Sequence, residues 1–270
     1  MKRAFLLYKK EDAAKNGVLI NRYFAALKRR GCSAGLVIAD RLTESEVLNM
    51  VSGADLIINR ARDASLTRRL EAHGLKVSNP SEVTGTANDK FLTYERLKNA
   101  VPMLETHILG EEPPLLSFPF VAKPAGGHGG SGVTMISCEA DLCAYRAAHP
   151  ERSVVQPAAT ELGRDMRVYV IGGKPVAAML RESKTDFRSN FSLGGSARIV
   201  PLDTLRADER EIVEAVSREL PLDYAGVDIM RDRGGAILNE IEDPVGARML
   251  YIFTDIDPAE EHVEYLISKE

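Results

Sequence analysis

Apolar positions along the first eighty residues switch repeatedly between two spacings, and the switching predicts a fold class before any motif is considered. Ala4–Tyr8, Leu36–Ala39, Leu56–Ile58 and Lys76–Asn79 are short extended runs that read as strands. Between them, Ile20–Leu27, Glu44–Val51 and Leu66–His73 carry apolar residues at helical spacing, with Gly31 and Gly74 as stops. Strand–helix alternation of this kind predicts a parallel sheet with helices on its faces. Asn79-Pro80 breaks it, and Ser81 is placed to cap the next segment.

Beyond that break the pattern changes. Ala87–Leu97 reads as one helix containing Lys90, with Val101-Pro102 as its exit, and the proline-rich stretch 111–119 reads as a hinge or linker. An apolar strand ends near Lys123, a β-branched run starts at Val133, and Glu139–Ala148 is helical. Ser153–Gln156 is a strand ended by Pro157. Met166–Ile171 and Pro175–Arg181 face each other across Gly172-Gly173, a dipeptide suited to a tight hairpin. Asp208–Leu220 is a long amphipathic helix, Tyr224–Met230 and Ala236–Ile241 form a second hairpin, and Asp257-Pro258 opens a C-terminal helix. The class is therefore α/β at the start and α+β towards the end. Three units are expected: 1–84, 85–155 and 156–270.

Composition narrows the class without naming a chemistry. With 44% apolar and 27% charged residues over 270 positions, this is an ordinary globular chain with an ample core. A net charge of −4 gives no general attraction to nucleic acid or an anionic membrane. No apolar run approaches the ~20 residues of a spanning helix. Met1-Lys2-Arg3 before Ala4–Tyr8 resembles the start of a signal sequence, but Lys9-Lys10-Glu11-Asp12 ends the apolar part too early. Cys32, Cys138 and Cys143 are odd in number and lack metal spacing, which fits reduced thiols in a cytoplasmic protein. The five histidines form no zinc pattern. His128 alone is placed to meet a phosphate, and an exposed loop tip suits it equally.

The chemistry is concentrated in Phe120–Ser137. Gly126, Gly127, Gly129, Gly130 and Gly132 lie between two extended runs, so the loop is a hairpin flap whose backbone N–H groups can close on phosphate oxygens. Gly127-x-Gly129-x-x-Gly132 matches a dinucleotide fingerprint, but that turn must open a helix and here Val133–Ile136 comes next. A P-loop needs Gly-Lys-Ser/Thr at its end, and a protein kinase carries its lysine after the flap. Lys123 precedes it. A flexible linker or plain turn is the bland alternative.

Acids and arginines gather later in the chain. Asp228 interrupts one apolar strand, while Glu240 and Glu242 sit two apart on its partner and so share a face. Three carboxylates on adjacent strands can converge on one or two hard cations; a solvated sheet face is the alternative. Arg164, Arg167, Arg181 and Arg188 stand near strand ends, with Gly194-Gly195 behind, placed to clamp phosphate and carboxylate.

Taken in order, the glycine flap, Lys90, Gly163–Arg167, Asp186–Asn190 and the acidic trio resemble the ATP-grasp superfamily, in particular its RimK-like branch of carboxylate–amine ligases, which is similar to glutathione synthetases. The resemblance is strong from about Ala87 to Gly246 and architectural before that. It implies an ATP-grasp fold, with a pre-ATP-grasp α/β domain, a glycine-flap lid and a C-terminal antiparallel unit carrying the metal site. It implies that Lys90 and Lys123 contact the nucleotide phosphates under Gly127, His128, Gly129, Gly130, Ser131 and Gly132. Gln156, Pro157 and Ala158 would meet adenine at the hinge, where the Pro157 carbonyl accepts and the Ala158 N–H donates. Asp165 would bind ribose, Arg167 and Arg181 the γ-phosphate and acyl phosphate, with Arg188 and Asn190 in the same chamber. Asp228, Glu240 and Glu242 would hold Mg²⁺, one ion or two, with Mn²⁺ as a substitute.

Two departures limit the transfer. The family's Glu-x-Asn is here Glu240-x-Glu242, and the segment after it reads Asp243-Pro244-Val245-Gly246-Ala247-Arg248. Acceptor identity does not carry over, and Arg248 becomes a candidate carboxylate contact. The expected activity is amide or peptide bond formation between a carboxylate and an amine through an acyl phosphate. A phosphotransferase on the same fold is the runner-up, and a non-catalytic nucleotide-binding module the third reading. Partners would be small-molecule or peptide acids and amines, without nucleic acid or membrane, in a cytoplasmic protein whose relatives form dimers or tetramers.

Overall fold

The computed structural model describes residues 1–110, 116–189, 191 and 194–269. Its first layer is built from β1 (Arg3–Tyr8), α1 (Lys10–Lys15), α2 (Gly17–Arg29), β2 (Ser33–Ile38), α3 (Glu44–Val51), β3 (Leu56–Asn59), α4 (Ala64–Ala72) and β4 (Val77–Ser78). The strands form a parallel sheet in the order β2-β1-β3-β4. Local chemistry sets the helix starts. Thr43 and Glu46 close a reciprocal cap at the head of α3, and Asp63 accepts from Leu66 N–H at 2.9 Å to start α4.

The helix expected over Ala87–Leu97 starts three residues later, as α6 (Lys90–Leu97), and Ala87 instead ends a separate helix, α5 (Ser81–Ala87). Asp89 explains the break. Its carboxylate accepts from Phe91 N–H at 2.9 Å and Leu92 N–H at 3.0 Å, so it caps a new helix instead of continuing the old one. Lys90 thereby becomes the first residue of α6, next to the flap.

The lid sheet runs β5-β8-β6-β7 and comprises β5 (His107–Ile108), β6 (Phe120–Pro124), β7 (Thr134–Ile136) and β8 (Ser153–Pro157), backed by α7 (Glu139–Ala148). Phe120, Ala122, Ile136, Leu142, Tyr145 and Val155 fill its small core. Of the proline-rich hinge segment, residues 111–115 lie outside the described residues.

The third sheet, antiparallel in the order β11-β10-β9-β12-β13, contains β9 (Arg164–Ile171), β10 (Lys174–Glu182), β11 (Ser196–Val200), β12 (Tyr224–Asp232) and β13 (Gly235–Glu242). The helix α8 (Ala207–Glu219) covers its apolar face through Ile212, Val213 and Val216. β11 was not expected: Ser196, Arg198 and Ile199 are exposed on an edge strand, so no apolar run announces it.

The chain then turns through α9 (Arg248–Phe253) and returns as α10 (Pro258–Ser268), which packs on α2 of the first layer. His262 on α10 joins the hydroxyls of Tyr23 and Ser78, each at 2.9 Å. Burial holds its imidazole neutral, with the pKa pushed down to about 3. Arg60 donates to the Val245 carbonyl at 2.6 Å, and Asn79 donates to Asp243 at 2.8 Å. The first layer thus grips the segment after the last strand of the third sheet. Among the described residues, no helix is long and apolar enough to cross a membrane.

Candidate active site

One ladder across the third sheet places most of the candidate chemistry. Arg167 on β9 pairs with Asp228 on β12, which pairs with Glu240 on β13. Strict alternation would turn Glu240 to the helix-covered face with Leu238. A β-bulge between the Asp228 and Ile229 pairings reverses the parity, and Ala236, Leu238 and Ile241 reach the core at uneven spacing. Glu240 and Glu242 therefore join Asp228, and the three offer carboxylate oxygens within 4.8 Å of one another. Three hard oxygen donors at that separation suit a divalent cation such as magnesium.

Arginines fill the same face. Arg167 grips Asp228 side-on, with Nε at 2.7 Å and Nη2 at 2.6 Å, and reaches Glu242 at 3.0 Å. Gly226 makes room: a Cβ there would stand 2.9 Å from Val245 and 3.3 Å from Arg167 Nε. Arg181 grips Asp165 in the same way and also donates to Asp228 at 2.7 Å. Burial opposes ionisation of Asp228, but the two arginines prevail and hold its carboxyl down at about 2. Bidentate pairs of this kind fix side-chain direction as well as charge.

Above this floor lies a cleft of about 750 Å³, counted to its open mouth. Lys90, Lys123, Gly127, His128, Gly130 and Ser131 line it from the flap side, Gln156 and Pro157 from the hinge, Asp165 and Glu240 from the sheet, and Arg188 from the loop after β10. The glycine flap and one member of the acidic trio, Glu240, thus share one space. Gly129, Gly132, Ala158, Arg167, Arg181, Asp228 and Glu242 are not in its lining, and Asn190 lies outside the described residues. Gly132 is a structural requirement: φ is +69°, and a Cβ would meet Pro124 at 2.8 Å and His149 at 2.9 Å.

The flap is held down at two carbonyls, Gly127 by Lys90 Nζ and Gly130 by Arg188 Nη1 at 3.0 Å. Lys123 is buried with Lys90 near it, and its pKa is pushed down to about 8, chiefly by loss of water. Burial raises that of Glu240. Gln156 is fixed by its side-chain amide, which donates to Thr106 at 2.6 Å. Asp165 has its two oxygens committed to Arg181, and Arg248 is exposed and stacks over Phe191 at 5.1 Å.

The family profile described as a RimK-like ATP-grasp domain matches residues 94–266, well over half of the chain. The chain belongs to the RimK-like ATP-grasp family. A probable alpha-L-glutamate ligase of Xanthomonas oryzae pv. oryzae is 30% identical across 80% of this chain and 79% of its own. An uncharacterized protein, MG011, of Mycoplasma genitalium is 26% identical across 99% and 93%. Among solved structures, a RimK domain protein from Sphaerobacter thermophilus matches at TM-score 0.75, with 19% identity over 98% of this chain and 99% of that one. D-alanine–D-alanine ligase from Bacillus anthracis complexed with ATP matches at 0.74, with 15% identity over 99% and 97%. Those two likenesses carry the ATP-grasp fold.

This RimK-like chain also uses residues that its sequence pattern did not reveal. Leu104, Val121, Val133, Leu162, Phe187 and Met230 make apolar walls for the cleft. Val121 could have been found, because it stands two before Lys123 on a strand and shares its face. Asp12 and Arg62 come from the first layer; Arg62 pairs with Asp12 at 3.0 Å and stands 3.7 Å from Glu242. Nothing local marks either, since only the packing of the layers brings them to the site.

Proposed function

We infer that the protein is an ATP-dependent carboxylate–amine ligase, and one observation carries the reading: the flap, two phosphate-facing lysines and the edge of an acidic trio line one cleft. Ligase names among the relatives agree, and they do not favour the phosphotransferase alternative. Adenine would stack between apolar walls and bond to the Pro157 carbonyl and Ala158 N–H. Lys90 and Arg188 would exchange the flap carbonyls for phosphate oxygens, and Lys123 would regain full charge beside them. Asp165 would first hold Arg181 and offer ribose its remaining lone pairs.

A carboxylate oxygen of the acid substrate attacks the γ-phosphorus, ADP leaves, and an acyl phosphate forms. The amine nitrogen then attacks the acyl carbon, losing a proton, and phosphate departs as the amide forms. Mg²⁺ or Mn²⁺ held by Asp228, Glu240 and Glu242 would supply charge neutralisation at the phosphates. Arg167 and Arg181, locked on their acids outside the cleft lining, would act on the phosphoryl group through the acids they orient, without reorganising. The closed flap excludes water that would hydrolyse the acyl phosphate.

Incubating the protein with ATP, Mg²⁺ and a panel of amino acids and short peptides, L-glutamate included, tests this. ADP and phosphate should appear only when an acid and an amine are both present, with an amide of matching mass. ATP that binds normally yet is not turned over with any pair would refute the reading, and a stable phosphorylated product without an amide would transfer it to the phosphotransferase.

A further inference from the structure

Arg62 differs from the other arginines around the acidic trio in its backbone and in its unused donors. Its φ of +54° lies in the left-handed region, which is unfavourable for a non-glycine residue. The loop between β3 and α4 holds it there. Asn59 accepts from Ala61 N–H at 2.9 Å, Arg60 is fixed on the Val245 carbonyl, and Asp63 caps α4. Such strain persists where the surroundings over-determine it, and it gathers at binding sites.

What the strain fixes is a guanidinium with capacity to spare. Nη1 pairs with Asp12 at 3.0 Å. Nη2 reaches the Pro244 carbonyl only at 3.5 Å and Glu242 at 3.7 Å, both too long for a good hydrogen bond. Nε is buried and makes no hydrogen bond. Arg167 and Arg181 each commit Nε and Nη2 together to one carboxylate. The same edge of Arg62 has no such partner, so a small rotation lets it take a carboxylate side-on.

Arg62 is outside the lining of the nucleotide cleft and stands beside Glu242. The tip of the flap lies within electrostatic reach of it: the pKa of His128 is lowered by partial burial and next by the charge of Arg62. Glu242 engaged as a metal ligand would leave Arg62 with Asp12 alone. An amine that met the acyl carbon beside Glu242 would bring its own carboxylate within reach of Arg62.

We propose that Arg62 is a specificity-determining residue that binds a spectator carboxylate of the amine substrate, so that the enzyme selects amino acids or peptides with a free carboxylate near the attacking nitrogen. The proposal rests on the ligase reading above and adds the substrate class to it. Its test compares an amine that the wild-type enzyme uses, such as L-glutamate, with the forms in which one carboxylate is a carboxamide, isoglutamine and L-glutamine. Arg62→Gly suits the positive φ and removes the guanidinium, while Arg62→Lys keeps the charge and loses the fork.

The wild type should prefer one free carboxylate by about 10–100-fold in kcat/KM, the range of a charge-assisted pair. Arg62→Gly should shrink that preference to about twofold and raise KM for the free acid at least about tenfold, and Arg62→Lys should fall between. KM for ATP should move less than about threefold in both variants, which also reports a folded nucleotide site. Amide formation by the wild type with no carboxylate preference, or a preference that survives in both variants, overturns the proposal and leaves the ligase reading standing. A KM rise confined to the acid substrate overturns the assignment to the amine. Absence of amide formation by the wild type with every pair defeats the ligase reading itself.

Discussion

Asp228 and Glu240 face each other on one rung of the β12–β13 ladder, yet their electrostatic surroundings are opposite. Asp228 accepts three hydrogen bonds from Arg167 and Arg181, and its carboxyl is held at about 2. Glu240 looks into the cleft towards Lys90 and Lys123, but among the described residues neither Glu240 nor Lys123 closes an ion pair. Loss of water raises the pKa of Glu240 and lowers that of Lys123, so each is held where its charged form is disfavoured. One half of the floor is therefore satisfied by the protein itself and keeps its geometry without a ligand. The other half carries an electrostatic deficit that bound phosphates and a cation would relieve. Rigidity and affinity have been assigned to neighbouring residues on the same sheet.

The sharpest way to break this contrast is Glu240→Gln. Turnover should fall by at least about 10³-fold, about 4 kcal/mol in activation free energy, because the cleft loses the one member of the acidic trio that lines it. Stability should hold or rise, since the change removes a half-buried carboxylate that Asp228 and Glu242 repel. Steady-state ADP release and a thermal melt, run on the same preparation, check both halves. A variant with near-normal turnover would remove Glu240 from the site; one that melts well below the wild type would show that Glu240 is already satisfied.

Asp228→Asn should behave in the reverse order, with a smaller but structural effect. It leaves Arg167 and Arg181 buried against each other with less negative charge between them, which costs on the order of 3–5 kcal/mol. The melting temperature should drop by several degrees or more, and ATP affinity should fall as a consequence of the loosened floor. An unchanged melt would mean that the arginines are held by other groups and that the two halves are not built differently.

How much of this was readable beforehand depends on whether local sequence or packing decides. The strand–helix alternation of the first layer and the helix at Glu139–Ala148 were visible in the periodicity, because their apolar stripes face their own cores. The flap and the acids at 228, 240 and 242 were legible because polar or flexible residues interrupt apolar strands. Glu240 and Glu242 were rightly placed on one face, yet their joining Asp228 depends on the bulge near Asn239, which alternation does not show. The split at Asp89 was missed because its capping role looks, in sequence, like one more polar position on a helix. Arg62 and Asp12 were invisible for a different reason. They lie 180 and 230 residues from Glu242, and Arg62, paired with Asp12, comes near it only after separate layers dock.

Lys123→Met refines the comparison from the other side, with the smallest expected effect. The lysine stands at about 8 against an ordinary 10.5, so folding disfavours its protonated form. Below pH 8 the unfolded chain holds that proton on better terms than the folded one, and the ligand-free protein is destabilised. The penalty fades as pH rises through 8 and is gone above 10.5, where both states are neutral. Methionine fills the buried space without the charge, so the ligand-free variant should be more stable than the wild type at pH 7 by on the order of 1–3 kcal/mol. The two should converge near pH 10.5 in urea denaturation. ATP affinity should move the opposite way, falling by about 10–100-fold at pH 7 in calorimetry, as the missing charge is one the phosphates would have paired. A variant less stable than the wild type at pH 7 would show that Lys123 is already neutralised inside the protein, and the division of the floor into a satisfied and an expectant half would fail.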